Sequence, residues 1–212
     1  MTSADGGQRE LILRVATRLF AALGYDATSL GQIAEAAGLG LDTAARQAGT
    51  KRELYLAVME RAYLAERSAL ERTIGGVQAA SPEQAAGLLH RITDNYLDLC
   101  VAHPEVPALW IHRWMSDASD VTEVEQRYTQ PLIKLVEGAF APAVAAGHIG
   151  PDVDVTYLLW SLIWCVDGFS QGGVLGADGS RVRTNDPEAL RRFRIHIHRL
   201  IHRTAGLPGD PP

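Results

Sequence analysis

Apolar and polar positions near the start of the chain alternate with the period of an α-helix. Between Arg9 and Leu23 the apolar residues recur at steps of three and four, which places them on one stripe of a helix. They are Leu11, Ile12, Val15, Ala16, Leu19, Phe20 and Leu23. Gly24 follows at once, where a left-handed glycine commonly ends a helix. The pattern predicts an amphipathic helix over residues 9–23, after a disordered start over residues 1–8.

Two short helices joined by a tight turn are predicted next. Ser29 and Gln32 have the spacing of a capping box, so we expect a helix that begins after Ser29 and ends at Gly38. Leu39 and Gly40 connect it to a second short helix over residues 41–48. The arrangement indicates a helix-turn-helix, a motif whose second helix lies in the major groove of DNA. The alternative is a three-helix subdomain without a ligand.

Helical periodicity continues through the remainder of the chain. Thr50 is the expected cap of a long helix over residues 51–74, and Gly75 to Pro82 forms the expected boundary. Later helices are expected at about 82–102, 104–118, 121–146, 152–171 and 186–204. Strand signals are scarce, so the predicted fold class is all-α, with about nine helices and no sheet. We expect a helix-turn-helix domain over 9–54, an effector-binding and dimerisation domain over 55–204 and a disordered tail over 205–212.

Composition and charge narrow the classes of function. The 212 residues are 47% hydrophobic and 21% charged, as in a globular protein. The net charge of -5 excludes binding of nucleic acid or membrane by bulk positive charge, so any DNA contact must be local. The first 72 residues contain nine basic and nine acidic side chains. The apolar stretch Tyr157 to Val166 is about half of a bilayer span, and no signal peptide is evident. We expect a cytoplasmic protein with no membrane contact.

Few residues suggest a metal or a cofactor, and none is expected. The two cysteines, Cys100 and Cys165, lack zinc-finger spacing and fit buried thiols in a reducing compartment. His198 and His202 are four residues apart and, with His196, form a cluster between arginines. Because no acidic or cysteine ligand is near them in sequence, we expect a solvated basic face and not a metal site.

The N-terminal motif resembles that of a known family. The residues concerned are Ile12, Leu13, Ala16, Leu19, Phe20, Gly24, Tyr25, Thr28, Ser29, Ile33, Ala34, Ala37, Gly38 and Leu39. They look like the head of the TetR (tetracycline-repressor) family of transcriptional regulators, and Thr50 to Leu54 is similar to the start of that family's fourth helix. The resemblance implies a homodimer that binds a pseudo-palindromic operator in double-stranded DNA. It also implies a helical body that binds a small effector and then releases the operator, most simply as a repressor.

The same segment supplies the candidate DNA contacts. Lys51 is the best phosphate contact, and Thr28 and Ser29 add hydroxyl groups beside a helix N-terminus. Arg46 can read guanine and Gln47 adenine. Thr43 can contact a thymine methyl or a phosphate. The alternative for Arg46 is an ion pair with Asp42, four residues earlier.

The predicted recognition helix also departs from the family pattern. Ala45 stands where a groove-contacting tyrosine is usual, and Ala48 where a core phenylalanine is usual; Ala44 adds a third small residue. A second possibility is therefore a family member whose altered recognition helix reads DNA weakly and which acts mainly as a ligand-binding helical dimer.

Aromatic residues mark candidate effector contacts in the later helices. Two tryptophan pairs have i,i+4 spacing, and a few polar groups lie near them in sequence. The candidates are Trp110, His112, Trp114, Tyr128, Trp160, Trp164 and Asp167. Core packing is the alternative for each aromatic residue. Together they suggest a small, hydrophobic effector, aromatic or acyl in type, whose identity the sequence does not give. The apolar helix around Tyr157 to Val166 and the last helix are the expected dimer interface, with a monomer core as the alternative.

One motif suggests an enzyme. Gly168 to Gly172 reads G-x-S-x-G, which in serine hydrolases places the nucleophile, here Ser170, on a turn between a strand and a helix. No strand is predicted before Ser170 and no oxyanion loop is evident. We therefore expect no catalytic site and keep a serine hydrolase as a remote alternative.

Overall fold

The computed structural model describes residues 3–75, 77 and 79–211. Nine α-helices and two short strands lie in this part of the chain. The helices are α1 (Ser3–Leu23), α2 (Leu30–Ala36), α3 (Leu41–Ala48), α4 (Lys51–Ile74), α5 (Pro82–Ala102), α6 (Glu105–Trp114), α7 (Gln130–Ala145), α8 (Val155–Gly172) and α9 (Pro187–Thr204). The strands β1 (Val174–Leu175) and β2 (Arg181–Val182) pair antiparallel. The all-α prediction is confirmed, although this small hairpin was not expected.

The chain divides into two compact units. The first runs to Leu64 and also includes Glu105–Tyr128; the second consists of Ala65–Pro104 and the chain from Thr129 onward. The boundary between the units falls within α4. Sequence analysis placed the boundary near residue 54 and did not anticipate that α6 belongs to the first unit. No helix in the described part of the chain is long and apolar enough to span a bilayer.

The first unit is built around α1, which packs against α2, α3 and α6. The predicted apolar stripe is buried at Ile12, Val15, Ala16 and Phe20. The helix begins at Ser3, so residues 3–8 are helical and not disordered as expected, while Met1 and Thr2 lie outside the described residues. Helix α1 ends at Leu23, and Gly24 follows it with a φ of +82°. This is the left-handed conformation that the sequence predicted there.

The second unit has its own apolar core between α5, α7, α8 and α9, whose members include Leu88, Leu97, Phe140, Leu162, Val166, Ile197 and Ile201. The rings of Phe169 and Phe193 stack at 4.1 Å between α8 and α9. The helix predicted over 121–146 instead opens with a π-helical turn, Glu125–Thr129, before α7. Pro131 lies in the first turn of α7, where its missing N–H needs no partner within the helix. Helix α6 likewise ends at Trp114, four residues before its predicted end.

The C-terminal tail was predicted to be disordered, and the structure differs. After α9, Gly206 has a φ of +65°, and the N–H of Leu207 donates to the His202 carbonyl at 3.2 Å. These features form a Schellman turn. Leu207 is buried in the apolar core of the second unit, which explains why the segment folds back. Pro212 lies outside the described residues.

A row of histidines also differs from its prediction. His198 and His202 are buried, each with 3% exposure, and do not form a solvated face. His90 of α5 bridges them: its Nδ1 lies 2.6 Å from Nδ1 of His198, and its Nε2 lies 3.0 Å from Nδ1 of His202. The row continues from His198 to Asp94 at 2.9 Å. Burial, with the two neighbouring histidines, lowers the pKa of His90 to about 4. Among the described residues no group of three or more His, Cys, Asp or Glu is arranged to hold a metal ion.

Candidate DNA-binding surface and effector-binding residues

The helix-turn-helix is held together by local hydrogen bonds that the sequence predicted. Ser29 caps α2: its Oγ accepts from the Gln32 N–H at 3.2 Å, and the Gln32 side chain accepts from the Ser29 N–H at 2.8 Å. The capping box is therefore confirmed. Gly38, with a φ of +69°, turns the chain from α2 into α3. Ser29 is exposed and lies at the start of α2, where backbone N–H groups attract anions.

Helix α3 has a buried side and an exposed side. Ala44 and Ala48, one turn apart, have 0% and 8% exposure and face the core of the first unit, where α3 packs against α1 and α2. Asp42, Ala45 and Arg46 are exposed. The small residues let α3 lie close to its neighbours, while Arg46 extends from the opposite side of the helix.

Arg46 is held by a neighbour that sequence analysis did not pair with it. Its Nη2 donates to Oγ1 of Thr43 at 3.1 Å. No ion pair joins Arg46 to Asp42, although both are described residues, so the expected alternative is wrong. The bond to Thr43 uses one of five guanidinium donors and leaves the others to contact DNA. Gln47, on the same helix, is half-buried.

The core beside α3 contains aromatic rings from other elements. Phe20 of α1, Tyr25 of the following turn and Tyr55 of α4 are all buried. The rings of Phe20 and Tyr55 lie edge to face at 5.3 Å, and those of Tyr25 and Tyr55 are 4.8 Å apart. The aromatic side chains of this core thus come from α1, the turn and α4. The domain therefore has aromatic packing although α3 contributes only alanines to the core.

Lys51 begins α4 and is fixed against the turn between α1 and α2. Its Nζ donates to the Tyr25 carbonyl at 2.9 Å and lies 4.0 Å from the centre of the Tyr25 ring. An ammonium group has three donors, so two of them remain for a phosphate. The side chain is half-buried. Lys51 is therefore a positioned cation beside the helix-turn-helix.

Thr28 does not have the role predicted for it. Its side chain is 2% exposed, and its hydroxyl donates to the Gly24 carbonyl at 2.7 Å. The hydroxyl group closes the turn between α1 and α2 and is not available to a phosphate. The prediction failed because a Thr four residues after a helix-ending glycine can satisfy the helix carbonyls locally.

Asp117 was missed by the sequence analysis. Its two carboxylate oxygens accept the N–H groups of Tyr25 at 2.6 Å and Asp26 at 2.8 Å. A Cβ at Gly24 would lie 3.1 Å from the same oxygens, so both the close approach and the positive φ require glycine there. Asp117 is more than 90 residues from the turn in sequence, and a local pattern gives no signal for such a contact.

The loop that carries Asp117 is itself held firmly. Arg113 forms a two-pronged pair with Glu125, with Nε to Oε1 at 2.5 Å and Nη2 to Oε2 at 2.8 Å. It also donates to the carbonyls of Asp117 and Ala118. The pairing lowers the pKa of Glu125 and raises that of Arg113. Ser116 and Ala118 have positive φ angles, which such contacts help to maintain.

Four of the predicted effector contacts lie in the first unit. Trp110 is 4% exposed and Tyr128 is 2% exposed, and the ring of Tyr128 packs on Tyr63 at 5.4 Å. His112 is half-buried, and its Nε2 lies 3.2 Å from the Ala21 carbonyl of α1. Trp114 is half-buried at the end of α6. His112 thus ties α6 to α1.

The other three lie on α8 in the second unit and differ in burial. Trp164 is 53% exposed and its ring lies 5.6 Å from that of Trp160. Tyr157, one turn before Trp160, is 67% exposed. Trp160 is half-buried, so the three form an aromatic stripe that is exposed at Tyr157 and Trp164. Asp167, in contrast, is fully buried and accepts a hydrogen bond from the Tyr96 hydroxyl at 2.7 Å.

The hydrolase alternative is contradicted by the position of Ser170. The whole segment Gly168 to Gly172 is part of α8, so Ser170 lies within a helix and not on a turn after a strand. Its Oγ is buried and has no hydrogen-bond partner among the described residues. A nucleophile needs a base within hydrogen-bond reach, and no base in the described part of the chain is hydrogen-bonded to Ser170.

Comparison with known proteins identifies the N-terminal domain. Residues 12–58 match the model of the bacterial regulatory proteins of the tetR family. No curated protein matches the chain at a significant level.

Solved structures are similar over nearly the whole chain. A TetR-family transcription regulator from Marinobacter aquaeolei is 23% identical, with 92% of this chain and 97% of that one covered and a TM-score of 0.64. The TetR-family regulator PfmR from Thermus thermophilus is 17% identical, with 99% of each chain covered and a TM-score of 0.67. The ketosteroid transcriptional regulator KstR2 of Mycobacterium tuberculosis is 17% identical, with 99% and 97% covered and a TM-score of 0.66. At these identities the likeness establishes the fold.

Proposed function

We propose that this chain is a homodimeric transcriptional repressor of the tetR type, because residues 12–58 match that family's model and the fold is similar to that of tetR-family regulators. It binds a pseudo-palindromic operator and is released by a small, largely apolar effector. Its place of action is the cytoplasm, where a bacterial operator lies. The observation that carries the proposal is the two-sided build of α3, with Ala44 and Ala48 against the core and Arg46 exposed on the other side.

The DNA contacts divide into two kinds. Arg46 reads guanine from α3, with Thr43 holding its guanidinium in place, and Gln47 reads an adjacent base. Lys51 and Ser29 bind phosphates, Lys51 through its two remaining ammonium donors and Ser29 together with the N-terminus of α2. The chain has no excess of positive charge, so these few positioned groups and the pairing of two heads must supply the affinity.

The dimer interface is proposed on α8 and α9. Tyr157 and Trp164 are exposed on α8, with the half-buried Trp160 between them, and Leu200 of α9 is 38% exposed. Large exposed aromatic groups in a row are typical of a surface that is covered by a partner. A second copy of the same face would form a two-fold four-helix interface and hold two heads at a fixed spacing.

The effector is proposed to bind in the second unit, with Asp167 of α8 as its candidate polar contact. The effector contacts predicted at Trp110, His112, Trp114 and Tyr128, in the first unit, and at Trp160 and Trp164 on α8 stay predictions. A ketosteroid regulator is among the proteins of similar fold, which fits an apolar effector. Ser170 has no catalytic role in this scheme.

A second function is favoured by one observation. Ala45 is exposed on α3 and offers only a methyl group to a base or a phosphate. A chain with such a helix can act as a ligand-binding helical dimer that binds DNA weakly. Selection of duplexes from a random pool separates the two functions, because only the repressor enriches a pseudo-palindromic site.

The proposed contacts are tested on the selected duplex by gel shift at several salt concentrations. Arg46→Ala should bind the selected duplex more weakly by about 1–3 kcal/mol. It should also accept other bases at the one position that Arg46 contacts. Lys51→Ala should weaken binding to all sequences alike and reduce the salt slope by about 1. If wild type and both variants bind the duplex with equal affinity, Arg46 of α3 and Lys51 do not contact DNA. Asp152→Ala, in an exposed turn before α8, serves as the control.

A further inference from the structure

Two buried polar atoms on one face of α8 have no hydrogen-bond partner in the described part of the chain. They are Oδ2 of Asp167 and Oγ of Ser170, and the two residues are 0% and 8% exposed. Residues three apart on a helix lie side by side, so both atoms belong to one face of α8. Buried polar atoms are nearly always paired in folded proteins. A pair of unpartnered atoms therefore indicates a place for a ligand.

The other oxygen of Asp167 is fully occupied by α5. Oδ1 accepts the Tyr96 hydroxyl at 2.7 Å and lies 3.7 Å from Sγ of Cys100, which is the donor there. Tyr96 and Cys100 are one helical turn apart on α5, so both reach the same oxygen. These contacts fix the carboxyl group and leave only Oδ2 for a further partner.

The surroundings are negative. Burial raises the pKa of Asp167 to about 7, and no cationic side chain of the described residues is hydrogen-bonded to it. Glu66, 6% exposed, is close enough to raise the pKa of both Tyr96 and Cys100, as Asp167 does. Two buried carboxyl groups that both act on Tyr96 and Cys100 favour a cation or a strong hydrogen-bond donor there and disfavour a carboxylate.

We propose that Asp167 and Ser170 form the polar end of an effector site that takes an amphiphilic amine. The ammonium group donates to Oδ2 of Asp167 and Oγ of Ser170, and the apolar part packs on the neighbouring side chains of the second unit. This assignment rests on the proposed function, since it names the chemical class of the effector. It requires the ionised form of Asp167, so binding of the amine is linked to loss of a proton below about pH 7.

Access to the site requires a small rearrangement. Oδ2 is enclosed, and a ligand reaches it only by displacing a neighbouring side chain. Among Tyr96, Cys100, Asp167 and Ser170, only Tyr96 is half-exposed. Its hydroxyl donates to Oδ1 of Asp167, so Tyr96 reports on ligand binding at this carboxyl group.

The test uses octylamine, octan-1-ol and octanoate, which share one apolar chain and differ in the head group. Isothermal titration calorimetry and thermal unfolding of the full chain measure their binding. Octylamine should bind wild type and octanoate should not. The affinity for octylamine should rise about tenfold per pH unit between pH 5 and 6 and level off above pH 7. Asp167→Asn should abolish the pH dependence of octylamine binding and lower the affinity for octylamine at least tenfold. Ser170→Ala should lower that affinity by a smaller factor.

Several outcomes would overturn the proposal: no binding of octylamine, equal binding by Asp167→Asn, or an affinity that falls as pH rises. The last would show that protonated Asp167 donates to an acceptor. Circular dichroism checks that the variants fold, and the exposed Asp152→Asn is the matched control. Operator binding is measured on the same preparations without amine. If operator binding persists and amine binding fails, only the effector class is wrong; if the reverse holds, the regulator function is wrong and the site stands.

Discussion

The two units contain two carboxylates in contrasting surroundings. Asp117 in the first unit is half-buried, and both of its oxygens accept backbone N–H groups, from Tyr25 and Asp26. Asp167 in the second unit is fully buried; one oxygen is bonded, and the other has no partner among the residues that the structure describes. Complete pairing fixes a backbone turn beside the helix-turn-helix. Incomplete pairing leaves a polar group to which a ligand can bind.

The contrast separates two uses of a negative charge. At Asp117 the charge strengthens hydrogen bonds that hold the turn before α2, and Lys51 holds the same turn through the Tyr25 carbonyl. At Asp167 burial destabilises the ionised carboxylate, which lowers the free energy of unfolding. A ligand that pairs with the carboxylate can restore this stability. The first arrangement orients the proposed DNA-binding surface, and the second suits the proposed effector site.

The largest expected effect concerns Asp167 and pH. Its pKa is raised from 3.8 to about 7 in the folded protein. Between about pH 4 and pH 7 the folded state therefore keeps a proton that the unfolded state releases, and the free energy of unfolding of wild type falls as pH rises through this window. Asp167→Asn does not titrate. Its stability relative to wild type should grow with pH, towards roughly 4 kcal/mol at pH 8.

Urea unfolding at pH 4.5, 6 and 8 measures this difference. His90, whose pKa is lowered to about 4, acts in the opposite sense: it destabilises the fold as pH falls from 6.5 towards 4. His90 is present in both proteins, so its contribution cancels in the comparison. A stability difference that stays constant from pH 4.5 to 8 would show that Asp167 is not a strained carboxyl group.

A smaller effect is expected for Asp117. Asp117→Ala removes the acceptors of two backbone N–H groups, which should lower the stability of the first unit by about 2 kcal/mol. Operator affinity should fall about tenfold, because the turn that positions α2 and Lys51 loses its anchor. Asp117→Asn keeps one acceptor oxygen and should show about half of the loss. Chemical unfolding and gel shift on the selected operator measure the two quantities.

Asp120→Ala is the control for that experiment. Asp120 is exposed in the same loop, and its replacement by alanine also removes one negative charge. If the Asp120 variant loses as much operator affinity as the Asp117 variant, the loss comes from the change in net charge and not from the turn. Unchanged affinity in both would mean that the turn does not orient the DNA-binding surface.

Local features of the fold were predictable from the sequence. The helix bounds at Leu41–Ala48 and Lys51–Ile74, the capping box at Ser29 and the turn at Gly24 all follow from residues within four positions of one another. Such signals depend on backbone conformation and on neighbouring side chains, which the sequence states directly. The recognition of the family used the same short-range pattern, and the match over residues 12–58 confirmed it.

Contacts between distant residues were not predictable in this way. Asp117 meets the turn at Tyr25, and His90 meets His198 and His202, across more than 90 residues in each case. One consequence was that Thr28 was predicted to contact DNA, although the fold buries it. The partners of a polar side chain depend on tertiary packing. A single sequence therefore identifies the side chain but does not predict which distant residues contact it.

The central claim is that the exposed side of α3 lies in the major groove of an operator. A photo-crosslinking amino acid at Ala45, the exposed position beside Arg46, tests it directly on the selected duplex. The account predicts crosslinks to bases within each half-site, and none from the same group at the exposed Glu83 of α5. Crosslinking from Glu83 but not from Ala45, or from neither position while the protein is bound, would contradict it.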